Sequence, residues 1–216
     1  MKIRHILFAI FIAIFISNVP VMAEEASKGI ILVDAGHGGI DGGAQSKGGT
    51  VEKDINLQIS KRLKDRLEKE GYKVYMTRED DKELSPKKVK DLEARCQMKR
   101  DTKCDVFISI HQNNFSSGNC FGSQVWYASN EDSTMLAKYV QQSLKENIKD
   151  NNKRVEKAAK DQYKILRDKY DGACIIVECG FLSNYEEEQR LKSESHQNQI
   201  VEGITVGINK YFESKK

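Results

Sequence analysis

Ile30-Ile31-Leu32-Val33-Asp34 leads directly into Ala35-Gly36-His37-Gly38-Gly39. A continuous apolar run of this length reads as a strand buried on both faces. The glycines that follow permit a tight turn and close approach to a ligand, and one imidazole stands among them. The pattern returns twice. Val106-Phe107-Ile108-Ser109-Ile110 leads into His111-Gln112-Asn113, and Cys174-Ile175-Ile176-Val177 leads into Glu178-Cys179-Gly180-Phe181. In open α/β sheets the ligand crevice lies beyond the carboxyl ends of such strands. Two imidazoles and a carboxylate, far apart in sequence, therefore converge on one rim.

Helix-patterned segments separate these strands, which is the mark of an α/β fold. The expectation is a single three-layer domain over residues 24–216: a mostly parallel, twisted sheet of about six strands, flanked by helices on both faces. A glycine-rich loop, Gly36 to Gly49, precedes a helix near Val51 to Glu70. Ile55, Ile59, Leu63 and Leu67 form its apolar stripe, Thr50 is its expected N-cap and Gly71 its stop. Tyr72 to Met76 reads as a strand. Ser85-Pro86 reads as the start of a helix running to about Lys99. Ser123 to Tyr127 reads as a further strand. Asn130 caps a helix with Leu136, Val140, Leu144 and Ile148 on one side. Residues 149–161 read as irregular and Tyr163 to Arg167 as a short edge strand. Asn184 caps an acidic first turn, Glu186 to Glu188, which suits the helix dipole. Ile200, Ile204, Ile208 and Phe212 mark the last helix.

The N-terminus carries its own signal. Lys2, Arg4 and His5 precede an unbroken apolar run, Ile6 to Ile16, and Val21-Met22-Ala23 supplies short residues for cleavage. Residues 1–23 read as a secretory signal peptide. An uncleaved anchor is the competing reading, but the run is short for a bilayer span of ~20 residues and Pro20 interrupts its continuation. The expectation is an exported protein that meets the membrane only through this segment. Loss of Lys2 and Arg4 lowers the formal charge from +3 to +1. A balance so near neutral argues against a nucleic-acid partner. The five cysteines are an odd number and contain no C-x-x-C pair, so a structural zinc knuckle is not expected. Cys104 and Cys174 read as buried apolar residues. Cys120 and Cys179 stand near the motifs and could add metal contacts, although the ligand set is complete without them.

That ligand set is His37, Glu52 and His111. Zinc favours nitrogen and oxygen ligands, and a catalytic zinc keeps a position open for water. Glu178 is the candidate acid–base group, because a carboxylate ending Ile175-Ile176-Val177 is costly unless paired or placed beside a metal. Each residue has a plainer alternative. His37 could be a turn residue and His111 a core histidine. Glu52 could simply partner the helix dipole. His196, amid Glu194 and Gln197, reads as solvated.

Taken together, the motifs resemble a known family. Asp34-Ala35-Gly36-His37-Gly38-Gly39, Glu52 before Asp54-Ile55-Asn56-Leu57, Ser109-Ile110-His111-Gln112-Asn113, and Val177 through Asn184 are similar to motifs of the zinc-dependent N-acetylmuramoyl-L-alanine amidases. Thr77-Arg78 with Asp80 and Asp81, and Arg95 ahead of Asp105, also fit. The resemblance implies that His37, Glu52 and His111 bind Zn2+ and that Glu178 is catalytic. The implied substrate is peptidoglycan, cut between muramic acid and L-alanine. Gly122-Ser123-Gln124-Val125-Trp126-Tyr127 and the module-free layout look most like the branch of sporulating bacteria that starts muramic-δ-lactam formation in the spore cortex. Export would then deliver the enzyme to the cell wall or the forespore intermembrane space. The loops look too short for a helix that plugs the site, which leaves expression, zinc supply or an accessory protein partner as the means of control. Gln112 and Asn114 stand where the family more often has small residues. The alternatives are another exported zinc hydrolase, a carboxypeptidase or deacetylase, or a non-catalytic wall-binding protein.

Overall fold

The computed structural model describes residues 27–216, so the expected signal peptide lies outside the described residues. The strands are β1 (Ile30–Ala35), β2 (Lys73–Met76), β3 (Val106–Asn113), β4 (Gln124–Tyr127), β5 (Lys157–Ala158) and β6 (Ala173–Phe181). The helices are α1 (Glu52–Lys69), α2 (Lys88–Thr102), α3 (Glu131–Ile148), α4 (Tyr185–Leu191) and α5 (Glu194–Glu213). One six-stranded sheet runs in the order β2-β1-β3-β6-β4-β5. Its pairs are parallel except β4 with β6, which is antiparallel. The expected architecture, a mostly parallel sheet between helical layers, is the one observed.

Strand alternation divides the core in two. Ile31, Val33, Ile108, Ile110, Ile175 and Val177 face one way and pack with apolar residues of α1, α3 and α5. Leu32, Phe107, Cys174 and Ile176 face the other way and pack with Cys96 of α2 and with Ile165 and Leu166. Both faces being covered is why the central strands read as unbroken apolar runs. Helices α3 and α5 approach closely because α5 presents glycine there. A Cβ on Gly207 would stand 2.6 Å from the Val140 Cα.

Several local expectations are revised. Thr50 does not cap α1. Val51 occupies the cap position without a side-chain bond, and loop carbonyls of Gly42 and Ala44 accept from the N–H groups of Lys53 and Glu52. The Thr50 hydroxyl instead donates to Glu188 at 2.6 Å. Helix α2 begins at Lys88 rather than at Ser85-Pro86, because the N–H groups of Leu84 and Ser85 turn back onto the Asp91 carboxylate. Tyr163 to Arg167 is not a strand. Lys164–Leu166 is a 3-10 turn, and the edge strand is β5, within the segment expected to be irregular. Neighbouring side chains of a strand point to opposite faces, whereas Ile165 and Leu166 are both buried in one cluster. His196 is buried, not solvated, with Nδ1 3.3 Å from the Gln199 side chain. The acidic turn of α4 does more than face a dipole. Glu187 accepts from the N–H groups of Gly122 and Phe181, and Glu188 from the hydroxyls of Ser46 and Thr50.

Candidate metal centre

Parallel β1, β3 and β6 deliver their motifs to the same edge of the sheet. His37 lies two residues past β1, and the register sets His111 of β3 beside Glu178 of β6. Glu52 is the first residue of α1, and the glycine-rich loop folds it back toward both histidines. Glycine is needed where the groups crowd. A Cβ on Gly36 would stand 2.3 Å from the His111 imidazole, and one on Gly43 would stand 2.5 Å from the Glu52 carboxylate.

Glu52 Oε1 lies 3.3 Å from His37 Nε2 and 2.9 Å from His111 Nδ1. The two imidazole rings meet edge to face, with centroids 4.9 Å apart. One donor atom from each of His37, Glu52 and His111 lies within 4.8 Å of the others, and these three form the group among the described residues that could hold a metal ion. Neither Cys120 nor Cys179 joins it, and Cys104, Cys174 and Cys179 are buried with free thiols.

Neighbouring groups hold the three donors in place. Asp41 Oδ2 sits 3.0 Å from His37 Nδ1 and leaves Nε2 facing Glu52. Partners of this kind orient metal-binding histidines. Glu52 Oε2 accepts from the Ala44 N–H at 2.8 Å, and Oε1 accepts from the Gln112 N–H at 3.1 Å. The Gln112 side chain donates to Asn56, whose amide reaches Gly36 O at 3.1 Å and Glu52 Oε1 at 3.3 Å. Burial opposes ionisation of Glu52, but hydrogen bonds from His111 and His37 outweigh it and hold its pKa well below the carboxylate range.

Glu178 has the opposite character. It is buried, and its Oε2 has no hydrogen-bond partner. Burial pushes its pKa up to about 7, helped by the Glu52 charge and opposed by His111 and His37. A carboxyl poised near neutrality can both take and return a proton. All four residues singled out in the sequence thus come together. The sequence reading missed Asp41 as the partner of His37. Its signal was an acid four residues beyond a histidine in a glycine loop. It also left Gln112 and Asn56 without a role.

An open α/β sheet that gathers two imidazoles and a carboxylate on its ligand-binding rim, beside a buried carboxyl whose pKa is raised toward neutrality, has the layout of a metal-assisted hydrolase. Comparison with known proteins narrows the class. The chain belongs to the N-acetylmuramoyl-L-alanine amidase family, whose model matches residues 31–210. The germination-specific N-acetylmuramoyl-L-alanine amidase of Bacillus subtilis is 35% identical over 195 residues, spanning 86% of this chain and 81% of that protein. The solved CwlD amidase from Clostridioides difficile, in complex with the GerS lipoprotein, is 36% identical with a TM-score of 0.81, over 86% of this chain and 99% of that one. An N-acetylmuramoyl-L-alanine amidase from Clostridium difficile 630 is 34% identical with a TM-score of 0.78, over 87% and 98% of the two chains. The activity is that of the family: hydrolysis, in peptidoglycan, of the amide between N-acetylmuramic acid and L-alanine.

Proposed function

We propose that this protein is an exported zinc amidase of spore-cortex peptidoglycan, with residues 24–216 as its catalytic domain. Zn2+ would be held by His37, Glu52 and His111, and Glu178 is the catalytic acid–base residue. The observation that carries this reading is the convergence of three donor atoms within 4.8 Å beside a buried carboxyl with an unpartnered oxygen. The donor set suits the ion: two imidazole nitrogens and a carboxylate oxygen are common zinc ligands, and zinc bonds of ~2.0–2.2 Å need donors this close. Bound there, zinc would polarise the scissile carbonyl and make a water ionisable at neutral pH.

The remaining chemistry falls to the protein. Glu178 accepts a proton from the attacking water as oxygen adds to the carbonyl carbon. It then delivers that proton to the nitrogen as the C–N bond breaks, so L-alanine leaves as a free amine. Asp41 keeps the His37 ring oriented, and the Ala44 and Gln112 N–H groups hold the Glu52 carboxylate in place.

Two further elements rest on relatives. A germination-specific relative supports a cortex substrate, as the first step toward muramic-δ-lactam. The relative solved with a lipoprotein supports an accessory protein partner. No helix among the described residues is long and apolar enough to cross a membrane. The test is digestion of spore cortex and vegetative wall by zinc-loaded protein, followed by mass analysis. New L-alanine amino termini, released preferentially from cortex, are expected. Release of D-alanine or acetate instead would replace the amidase reading with a carboxypeptidase or deacetylase.

A further inference from the structure

Two arginines lie buried beneath the turn that carries His37, and neither belongs to the ligand set. Their guanidinium groups hold three successive carbonyls of that turn. Arg78 Nε donates to Ala35 O at 2.9 Å and its Nη2 to Gly36 O at 3.0 Å. Arg95 Nη1 donates to Ala35 O at 3.0 Å and its Nη2 to His37 O at 2.9 Å. Arg78 Nη2 also donates to the carbonyl of Lys53 at 2.9 Å, next to Glu52. It therefore fastens the His37 turn to the first turn of α1.

The turn needs such restraint. His37 has φ 61°, a left-handed conformation that costs an L residue about 1–2 kcal/mol. Such backbone persists only where its surroundings over-determine it. Relaxation to negative φ would swing the imidazole away from Glu52 and His111. Burying two cations is itself unfavourable unless they are compensated. Asp34, fully buried, accepts from Arg95 and from the hydroxyls of Thr77 and Ser109, while Asp91 takes Arg95 Nε. The fork of donors on each guanidinium lets one side chain reach several carbonyls, which a lysine ammonium cannot reproduce in the same geometry.

We propose that Arg78 and Arg95 are positioning residues that lock the His37 turn and thereby set the metal affinity of the His37–Glu52–His111 cluster. This rests on the metal-site reading above. Zinc dissociation constants are measured by chelator competition, with zinc alone as the probe, for wild type, Arg78→Lys and Arg95→Lys. Both variants are expected to bind zinc about 10- to 100-fold more weakly, the usual effect of disturbing groups that orient a ligand. At saturating zinc their kcat returns toward wild type with KM unchanged, a rescue that general loss of structure would not show. Arg78 bonds only to main-chain carbonyls, so Arg78→Lys strands no buried anion and decides the matter if Arg95→Lys does not fold. A wild type that binds zinc, with a folded Arg78→Lys that binds it within about twofold, overturns the proposal while leaving the metal site intact. A wild type that takes up no zinc overturns the metal site first and this proposal with it.

Discussion

Replacing Glu178 by Gln removes a proton acceptor while keeping the size of the side chain, and two independent quantities should change. The first is stability of the metal-free protein. Glu178 has a pKa of about 7 in the folded chain against an ordinary 4.5, with burial as the main cause. The folded state therefore holds a proton that the unfolded chain releases between those values. Stability from this group is fully present below the unfolded pKa and is lost as pH rises through the folded one. At about 1.4 kcal/mol per pH unit the gap amounts to about 3 kcal/mol. Glutamine has nothing to lose, so metal-free Glu178→Gln should match wild type near pH 4 and exceed it by up to about 3 kcal/mol at pH 8. Urea unfolding of both proteins at the two pH values measures this, and the difference between them cancels the other titrating groups. The second quantity is turnover. Loss of general acid–base catalysis should lower kcat by about 10²- to 10⁴-fold, with zinc content unchanged. A stability difference that ignores pH, together with kcat within tenfold of wild type, would refute the role given to Glu178.

Gly36→Ala places a Cβ 2.3 Å from the His111 ring. It should weaken zinc binding at least tenfold with little change in far-UV circular dichroism. Gly207→Ala drives a Cβ to 2.6 Å from the Val140 backbone and should cost about 1–3 kcal/mol in urea unfolding by overpacking α3 against α5. Asp34→Asn removes the buried anion facing Arg95, and breaking such a pair typically costs about 3–5 kcal/mol. Burial resists ionisation of Asp34, but Arg95, Ser109 and Thr77 hold its pKa below the ordinary value. The stability it gives wild type is therefore present above the unfolded pKa and lost as pH falls through the folded one, and acid titration of the variant should lack that component.

The central sheet was legible because β1, β3 and β6 are covered on both faces, which leaves a continuous apolar record in sequence. The carboxyl ends of such strands, where open α/β sheets bind ligands, also placed His37, His111 and Glu178 on one rim in advance. What stayed hidden depends on partners distant along the chain. Thr50 has the chemistry of a helix cap, but Glu188 recruits its hydroxyl across 138 positions. Ile165 and Leu166 carry strand propensity, yet both fall into one apolar cluster, and only a tight turn permits that. His196 looks polar by its neighbours in sequence, while the start of α5 buries it. In the site, the ligand types were readable from spacing. The orienting shell of Asp41, Asn56, Gln112 and the two arginines was not, because each acts through a main-chain carbonyl or through a second side chain.

A single ion bound between three side chains is what every proposed role at this site depends on. Anomalous diffraction at the zinc edge, on crystals of zinc-loaded protein, tests it most directly. One peak per chain is expected, among the side chains of His37, Glu52 and His111. No peak there, or zinc bound by other residues, would contradict it.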